Sequence, residues 1–198
     1  MGKRAVKRDK VYTYADYLTW PENEHWELIY GTAYAMSPAP NRQHQEISRN
    51  LLVEFAVYLK DEKCQIYAAP FDVRLPQKNE DENTTTTVVQ PDITVVCDVS
   101  KLDSAGCKGS PDLIIEILSP STASHDVIKK RKLYESSGVF EYWVVDPAHQ
   151  IITRFYMNEE LSEYRKAEYF GREGIITPII LPQLQIKLED IFRNSIIE

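Results

Sequence analysis

The run Leu113-Ile114-Ile115-Glu116-Ile117-Leu118 constrains this chain more than any other segment. It has strand length, and a strand that is apolar on both faces is one that other layers cover on both sides. A central strand is therefore expected here. Together with the next thirty residues it reads as a strand-helix-strand unit. Ser119-Pro120-Ser121-Thr122 breaks the strand and offers helix caps, a helix is expected from about Ser124 to Ser137, and Gly138 ends it. Glu141 to Val145 returns as a second strand, which Asp146-Pro147 stops.

The rest of the chain supplies the covering layers. Thr13 is placed to cap a short helix through Leu18, ended by Pro21, and Trp26–Tyr30 and Thr32–Met36 flank Gly31 as a hairpin. From Asn41 to about Lys60 the apolar residues Ile47, Leu51, Leu52, Phe55, Tyr58 and Leu59 recur at helical spacing. Gln65–Ala69 and Phe71–Leu75 read as strands around Pro70, followed by an exposed loop over Gln77–Thr87 and a strand over Asp92–Cys97. Ile151–Met157 and Tyr164–Phe170 read as an antiparallel meander, and Leu188–Phe192 as a terminal helix. The pattern predicts an α/β chain with a mixed, α+β-type sheet in one domain over 1–198. Residues 1–10, with Lys3, Arg4, Lys7, Arg8 and Lys10, form a flexible basic arm in this reading.

Composition narrows the function classes. With 43% hydrophobic and 27% charged residues the chain has the make-up of a globular protein rather than a disordered one. Its 23 basic residues stand against 30 acidic ones, a net charge of -7, so nucleic-acid binding by bulk charge is disfavoured and would need a local basic surface. No run approaches the roughly 18 apolar residues of a membrane span, and no apolar segment follows the basic N-terminus. A cytoplasmic protein without membrane contact is expected. Cys64, Cys97 and Cys107, an odd set with no CxxC, point to a reducing compartment and to buried thiols rather than disulfides.

Glu116 carries the chemistry. An ionised carboxylate in an apolar strand costs several kcal/mol unless it is paired, reaches solvent, or binds a metal. Two Pro-Asp pairs compete to supply a second carboxylate. Asp112 lies four strand residues from Glu116, roughly 13 Å at about 3.3 Å each, too far to share an ion. Asp92 belongs to another strand, and neighbouring strands lie about 4.8 Å apart, so its carboxylate is placed to meet Glu116 over one divalent cation. Its plainer role is to open a strand after proline. In the run Lys129-Lys130-Arg131-Lys132, the stripe of Val127, Leu133 and Tyr134 puts Lys130 near its centre, with Asp126 on its flank and Lys132 pointing away. Lys130 is then placed either to polarise an attacking water or to neutralise Glu116. His44, on the face of Ile47 and Leu51, either packs in the core or lines the site. Zinc binding by Cys97, Cys107 and His125 fits no standard ligand spacing, and there is no phosphate loop, GxGxxG or nucleophile elbow.

The acid after Pro91, the Glu116-x-Leu118 strand and the lysine-bearing helix resemble the PD-(D/E)XK restriction-endonuclease-like superfamily. More closely, the chain resembles the Uma-two family of endonucleases within it. The resemblance runs from Trp26-Glu27-Leu28-Ile29-Tyr30-Gly31 and Met36-Ser37-Pro38, through His44, Gln90-Pro91-Asp92-Ile93 and Ile115-Glu116-Ile117-Leu118-Ser119-Pro120-Ser121-Thr122, to Gly138-Val139 and Glu141-Tyr142-Trp143-Val144-Val145-Asp146-Pro147. It implies a restriction-endonuclease-like core with flanking helices and a DNA endonuclease using magnesium or manganese. In that scheme Asp92 and Glu116 hold the ion and Lys130 completes the catalytic set, with His44 and Asp126 lining it. The position where the superfamily usually has lysine is Leu118 here, so the lysine has to come from the next helix, as in some members. A catalytically inactive nuclease-like module binding DNA or a protein is the alternative. A homodimer is expected from the uncovered strand edges of the aromatic-rich meander and from the resemblance alike.

Overall fold

The structure, a computed structural model, describes residues 6–7, 9–21, 23–36, 40–119, 125–158, 160 and 162–193, with the side chains of 125–127 outside the description. In chain order the strands of the first half are β1 (Val6–Lys7), β2 (Trp26–Ile29), β3 (Thr32–Ala35), β4 (Gln65–Ala68), β5 (Val73–Arg74), β6 (Val88–Val89) and β7 (Ile93–Val96). Those of the second half are β8 (Leu102–Asp103), β9 (Gly106–Lys108), β10 (Leu113–Ile117), β11 (Glu141–Asp146), β12 (Ile151–Asn158), β13 (Glu163–Tyr164), β14 (Glu168–Phe170), β15 (Ile175–Ile176) and β16 (Ile186–Lys187). The α-helices are α1 (Tyr14–Tyr17), α2 (Arg42–Leu59), α3 (His125–Ser137) and α4 (Leu188–Ile191).

Two mixed sheets organise the chain. The first runs β1-β3-β2-β6-β5-β9-β8; the second runs β13-β12-β11-β10-β7-β4, with β14 also on β12. The Leu113–Ile117 run sits inside the second sheet, parallel to β11 and antiparallel to β7, with α3 as the crossover. Its alternation divides the interior. Leu113, Ile115 and Ile117 pack with Ile47, Leu51 and Phe55 of α2, whereas Ile114 packs with Leu133 and Tyr134 of α3 and with Ile29, Val73 and Val89 of the first sheet. The central strand is covered on both faces because α2 lies on one and α3 with the first sheet on the other. Glu116, between Ile115 and Ile117 in the alternation, is left facing the second of these layers.

Local signals set the element ends. Thr13 caps α1 in a reciprocal capping box with Asp16, and the Asn41 side chain accepts the N–H of His44 to start α2. Gly138, just beyond α3, has a φ of +80°, the left-handed conformation that glycine adopts freely. The caps expected at Ser119 to Thr122 fall mainly on 120–124, outside the described residues.

Two expectations are corrected. Val6 and Lys7 pair with Tyr34 and Ala33, and Lys7 Nζ lies 4.3 Å from the centre of the Trp26 ring, so part of the basic arm is docked rather than flexible. Cys64 and Cys97 are not thiols. Gln65 faces Val96 in the β4–β7 pair, which puts the two cysteines opposite one another at the strand ends, where they form a disulfide. The cysteine argument for a reducing compartment falls with them; Cys107 alone is a buried free thiol. β6 and the β8–β9 hairpin lie in stretches to which the sequence pattern assigns no element. No described helix is long and apolar enough to cross a membrane.

Candidate active site

The second sheet brings Asp92 beside Glu116. Ile115 of β10 faces Ile93 of β7, so the next pair in this antiparallel register is Glu116 opposite Asp92. Residues directly opposite have Cβ atoms about 4.5–5.5 Å apart. Asp92 is fixed from two sides: its Oδ2 accepts the N–H of Ile117 at 2.7 Å and lies 3.3 Å from His44 Nε2. Burial pulls the His44 pKa down, but Asp92 outweighs it and the imidazole ends above its ordinary value. His44 therefore contacts Asp92 rather than packing only against its α2 neighbours, and its Nδ1 has no hydrogen-bond partner among the described residues.

Glu116 meets α3. Lys130 Nζ donates to Glu116 Oε1 at 2.8 Å, and the Tyr134 hydroxyl donates to the same oxygen at 2.6 Å. The two donors lie four residues apart, one turn of one helix face. Lys132 is exposed. The lysine is shared: its Nζ also donates to Glu27 Oε1 at 2.9 Å, an oxygen that accepts the backbone N–H of Gln90 at 3.3 Å as well. Burial pushes the Glu116 carboxyl up to about 7, against the pull of Lys130. For Lys130 burial acts downward, but Glu116 and Glu27 outweigh it and hold the group as an ammonium.

One ammonium thus faces the carboxylates of Glu116, Glu27 and, one strand away, Asp92. With His44 also facing Asp92, the three carboxyl groups of the corner outnumber its two basic groups by one. The described hydrogen bonds use Asp92 Oδ2 and Glu116 Oε1, and the other carboxylate oxygens of these two residues have no described partner. Among the described residues no three His, Cys, Asp or Glu side chains converge in metal-binding geometry. The donors on offer are hard carboxylate oxygens in a pair, not a nitrogen and sulfur cage.

A family model described as "Uma2: Putative restriction endonuclease" matches residues 14–189. The chain belongs to this family. Among curated proteins, the uncharacterized protein slr1290 of Synechocystis is 28% identical over 148 residues, 73% of this chain and 74% of that one. Among solved structures, a "putative nuclease belonging to DUF820" from Anabaena variabilis superposes with a TM-score of 0.70 over 93% of this chain and 99% of that one, at 19% identity. That identity level speaks to the fold, which is a nuclease-like mixed α+β fold in both.

Against that family background, two positions are informative. Leu118, at the position where the resemblance leads one to expect lysine, follows β10 and packs half-buried against the core between the sheets. The ammonium beside Glu116 comes from α3 instead. Glu27 was not singled out from the sequence, although its signature is that of Glu116: one acid in an apolar strand, here Trp26–Ile29, with a side chain 1% exposed. The side chain of Asp126, expected beside Lys130, lies outside the description.

Proposed function

We propose that this chain is a divalent-metal-dependent DNA endonuclease, with Asp92 and Glu116 as ligands of one magnesium or manganese ion. The observation that carries the reading is the cross-strand Asp92–Glu116 pair with Lys130 on Glu116. Magnesium takes one or two protein carboxylates and completes its octahedron with water, which suits a two-carboxylate corner. Bound there, the ion would supply Lewis-acid polarisation of a phosphate oxygen and of water. Lys130, held by Glu27 and Glu116, presents a fixed positive charge that can orient the attacking water and stabilise charge building on the phosphoryl oxygens. His44 and the Ile117 N–H hold Asp92 in place. In the reaction the water oxygen bonds to phosphorus, one P–O ester bond breaks, and the departing oxygen takes up a proton. The family description "Putative restriction endonuclease" supports this choice of substrate class.

A non-catalytic module is the second reading, favoured by Leu118 and by the closure of Lys130 onto both glutamates. Calorimetric titration with manganese separates the two. The wild type should bind a saturable ion, and Asp92→Asn and Glu116→Gln should lose it while staying folded. On plasmid DNA, Lys130→Ala should cut about 10²-fold more slowly than wild type at similar manganese affinity, the usual scale for a positioned electrostatic group. Wild-type protein that binds manganese and never nicks DNA would favour the module; unchanged affinity in either carboxylate variant would remove that residue from the site.

A further inference from the structure

The site face of the second sheet continues past Asp92 to the edge strand β4. Tyr67 faces Thr94, and Thr94 faces Ile114. Side chains two apart along a strand share a face, so Tyr67, Asp92 and Glu116 lie on one side of the sheet. Adjacent strands are about 4.8 Å apart, which puts β4 one spacing from the strand of Asp92 and two from that of Glu116. The end of β4 is pinned to the site by the Ala69 N–H, which donates to the Asp92 carbonyl at 3.1 Å.

Just beyond that bond the Phe71 ring lies flat on Tyr67, with centroids 4.1 Å apart and planes 3° from parallel. The two rings differ in their anchoring. Phe71 packs against the core between the sheets, whereas Tyr67 is partly exposed and belongs to none of the three apolar clusters. Its hydroxyl donates to Gln65, an exposed side chain on the same face. The result is an aromatic ring backed by a second, anchored ring on the edge strand of the sheet, one strand over and two residues along from Asp92 and one strand further from Glu116.

A ring held in one plane next to a phosphate-directed site is suited to stacking a base. Bases inside a duplex are stacked on one another, and a protein aromatic reaches a π-face only where a base is unpaired. Building on the nuclease reading above, we propose that Tyr67, backed by Phe71, is a stacking platform for an unpaired nucleobase next to the phosphate at Asp92 and Glu116. The substrate class is then nucleic acid that is single-stranded or frayed at the point of cutting, rather than continuous duplex.

The test is fluorescence anisotropy with a labelled oligothymidine and a duplex of equal length, with calcium replacing magnesium. Wild type should prefer the single strand, and Tyr67→Ala should weaken single-strand binding about ten-fold, the scale of one base–aromatic stack, while leaving duplex binding unchanged. Tyr67→Phe keeps the ring and should bind as wild type. Tyr67→Leu keeps apolar bulk without the π-face and should behave as Tyr67→Ala, which serves if the alanine variant does not fold. A 2-aminopurine base in the oligonucleotide should be quenched by wild type and not by Tyr67→Leu. Unchanged single-strand affinity in Tyr67→Leu, with wild type binding DNA, overturns the platform alone. Wild type that binds neither oligonucleotide overturns the platform together with the nuclease reading.

Discussion

Replacing Lys130 by methionine isolates the charge that joins α3 to both sheets. Methionine keeps most of the apolar stem, so the change is chiefly loss of the ammonium. The Lys130 side chain is 12% exposed, and those of Glu116 and Glu27 are 13% and 1% exposed, which puts both contacts in the buried class. Removing one partner of a buried ion pair costs about 3–5 kcal/mol, against less than about 1 for a surface pair. The Tyr134 hydroxyl stays on Glu116 and the Gln90 N–H stays on Glu27, so the lower end, about 3 kcal/mol, is expected. For a chain of this length that is a fall of about 6–12 °C in melting temperature. The assay is urea and thermal unfolding in EDTA. At alkaline pH, where Glu116 without its ammonium partner is still driven to ionise, adding Glu116→Gln to Lys130→Met should recover part of the loss, and Lys132→Met should stay within about 0.5 kcal/mol of wild type. A Lys130→Met protein as stable as wild type, or a double variant that loses the sum of the two singles, would refute the argument.

Glu141, fully buried, accepts Trp143 Nε1 at 2.8 Å and the Ile179 N–H at 2.7 Å, yet burial pushes its carboxyl up to about 7. The native state then holds a proton that the unfolded chain releases between about pH 4.5 and 7, so its contribution falls with rising pH by about 1.4 kcal/mol per unit; urea midpoints at pH 5 and 7 should show a flatter slope in Glu141→Gln. Thiol titration of denatured, unreduced protein should find Cys107 alone, and reducing the Cys64–Cys97 bond should cost about 2–4 kcal/mol by the loop it closes. Tyr169, Ile175 and Ile179 are 73%, 51% and 38% exposed around the β12–β14 hairpin and the β15–β16 ribbon, and light scattering at tens of micromolar should show a dimer if this apolar surface is its contact; a monomer would refute it.

The long or strongly periodic elements were legible in the sequence for physical reasons. α2 has its apolar stripe and an asparagine cap, and the Leu113–Ile117 and Glu141–Asp146 strands are apolar enough to need cover on both sides. Short strands such as Val88–Val89 and Leu102–Asp103 carry too few residues for a period of two to register, and their pairing depends on partners distant in sequence. The Lys130–Glu116 contact was legible because helical phase and a lone strand acid are both local signals. Glu27 was hidden because its partners, Lys130 and Gln90, come from elements far along the chain. The Cys64–Cys97 bond was missed because spacing rules concern neighbouring cysteines, whereas strand pairing set this one.

The two Pro-Asp pairs show how one local device comes to differ in chemistry. Pro91-Asp92 precedes β7 and Pro111-Asp112 precedes its antiparallel neighbour β10, and each carboxylate accepts an N–H at the far end of the other strand. Asp92 takes Ile117 and Asp112 takes Cys97, both at 2.7 Å. As caps of a two-strand ladder they are equivalent, each satisfying a backbone donor where the pairing ends. Their surroundings are not: the Asp92 end gathers Glu116 and His44, while the Asp112 end carries the Cys64–Cys97 bond. Asparagine keeps an acceptor oxygen, so Asp92→Asn and Asp112→Asn should each lower stability by only about 1 kcal/mol, the scale of weakening one hydrogen bond to a charged acceptor. Only Asp92→Asn should abolish manganese binding. Loss of the ion in Asp112→Asn, or its retention in Asp92→Asn, would show that the chemistry does not reside at the Glu116 end of the pair.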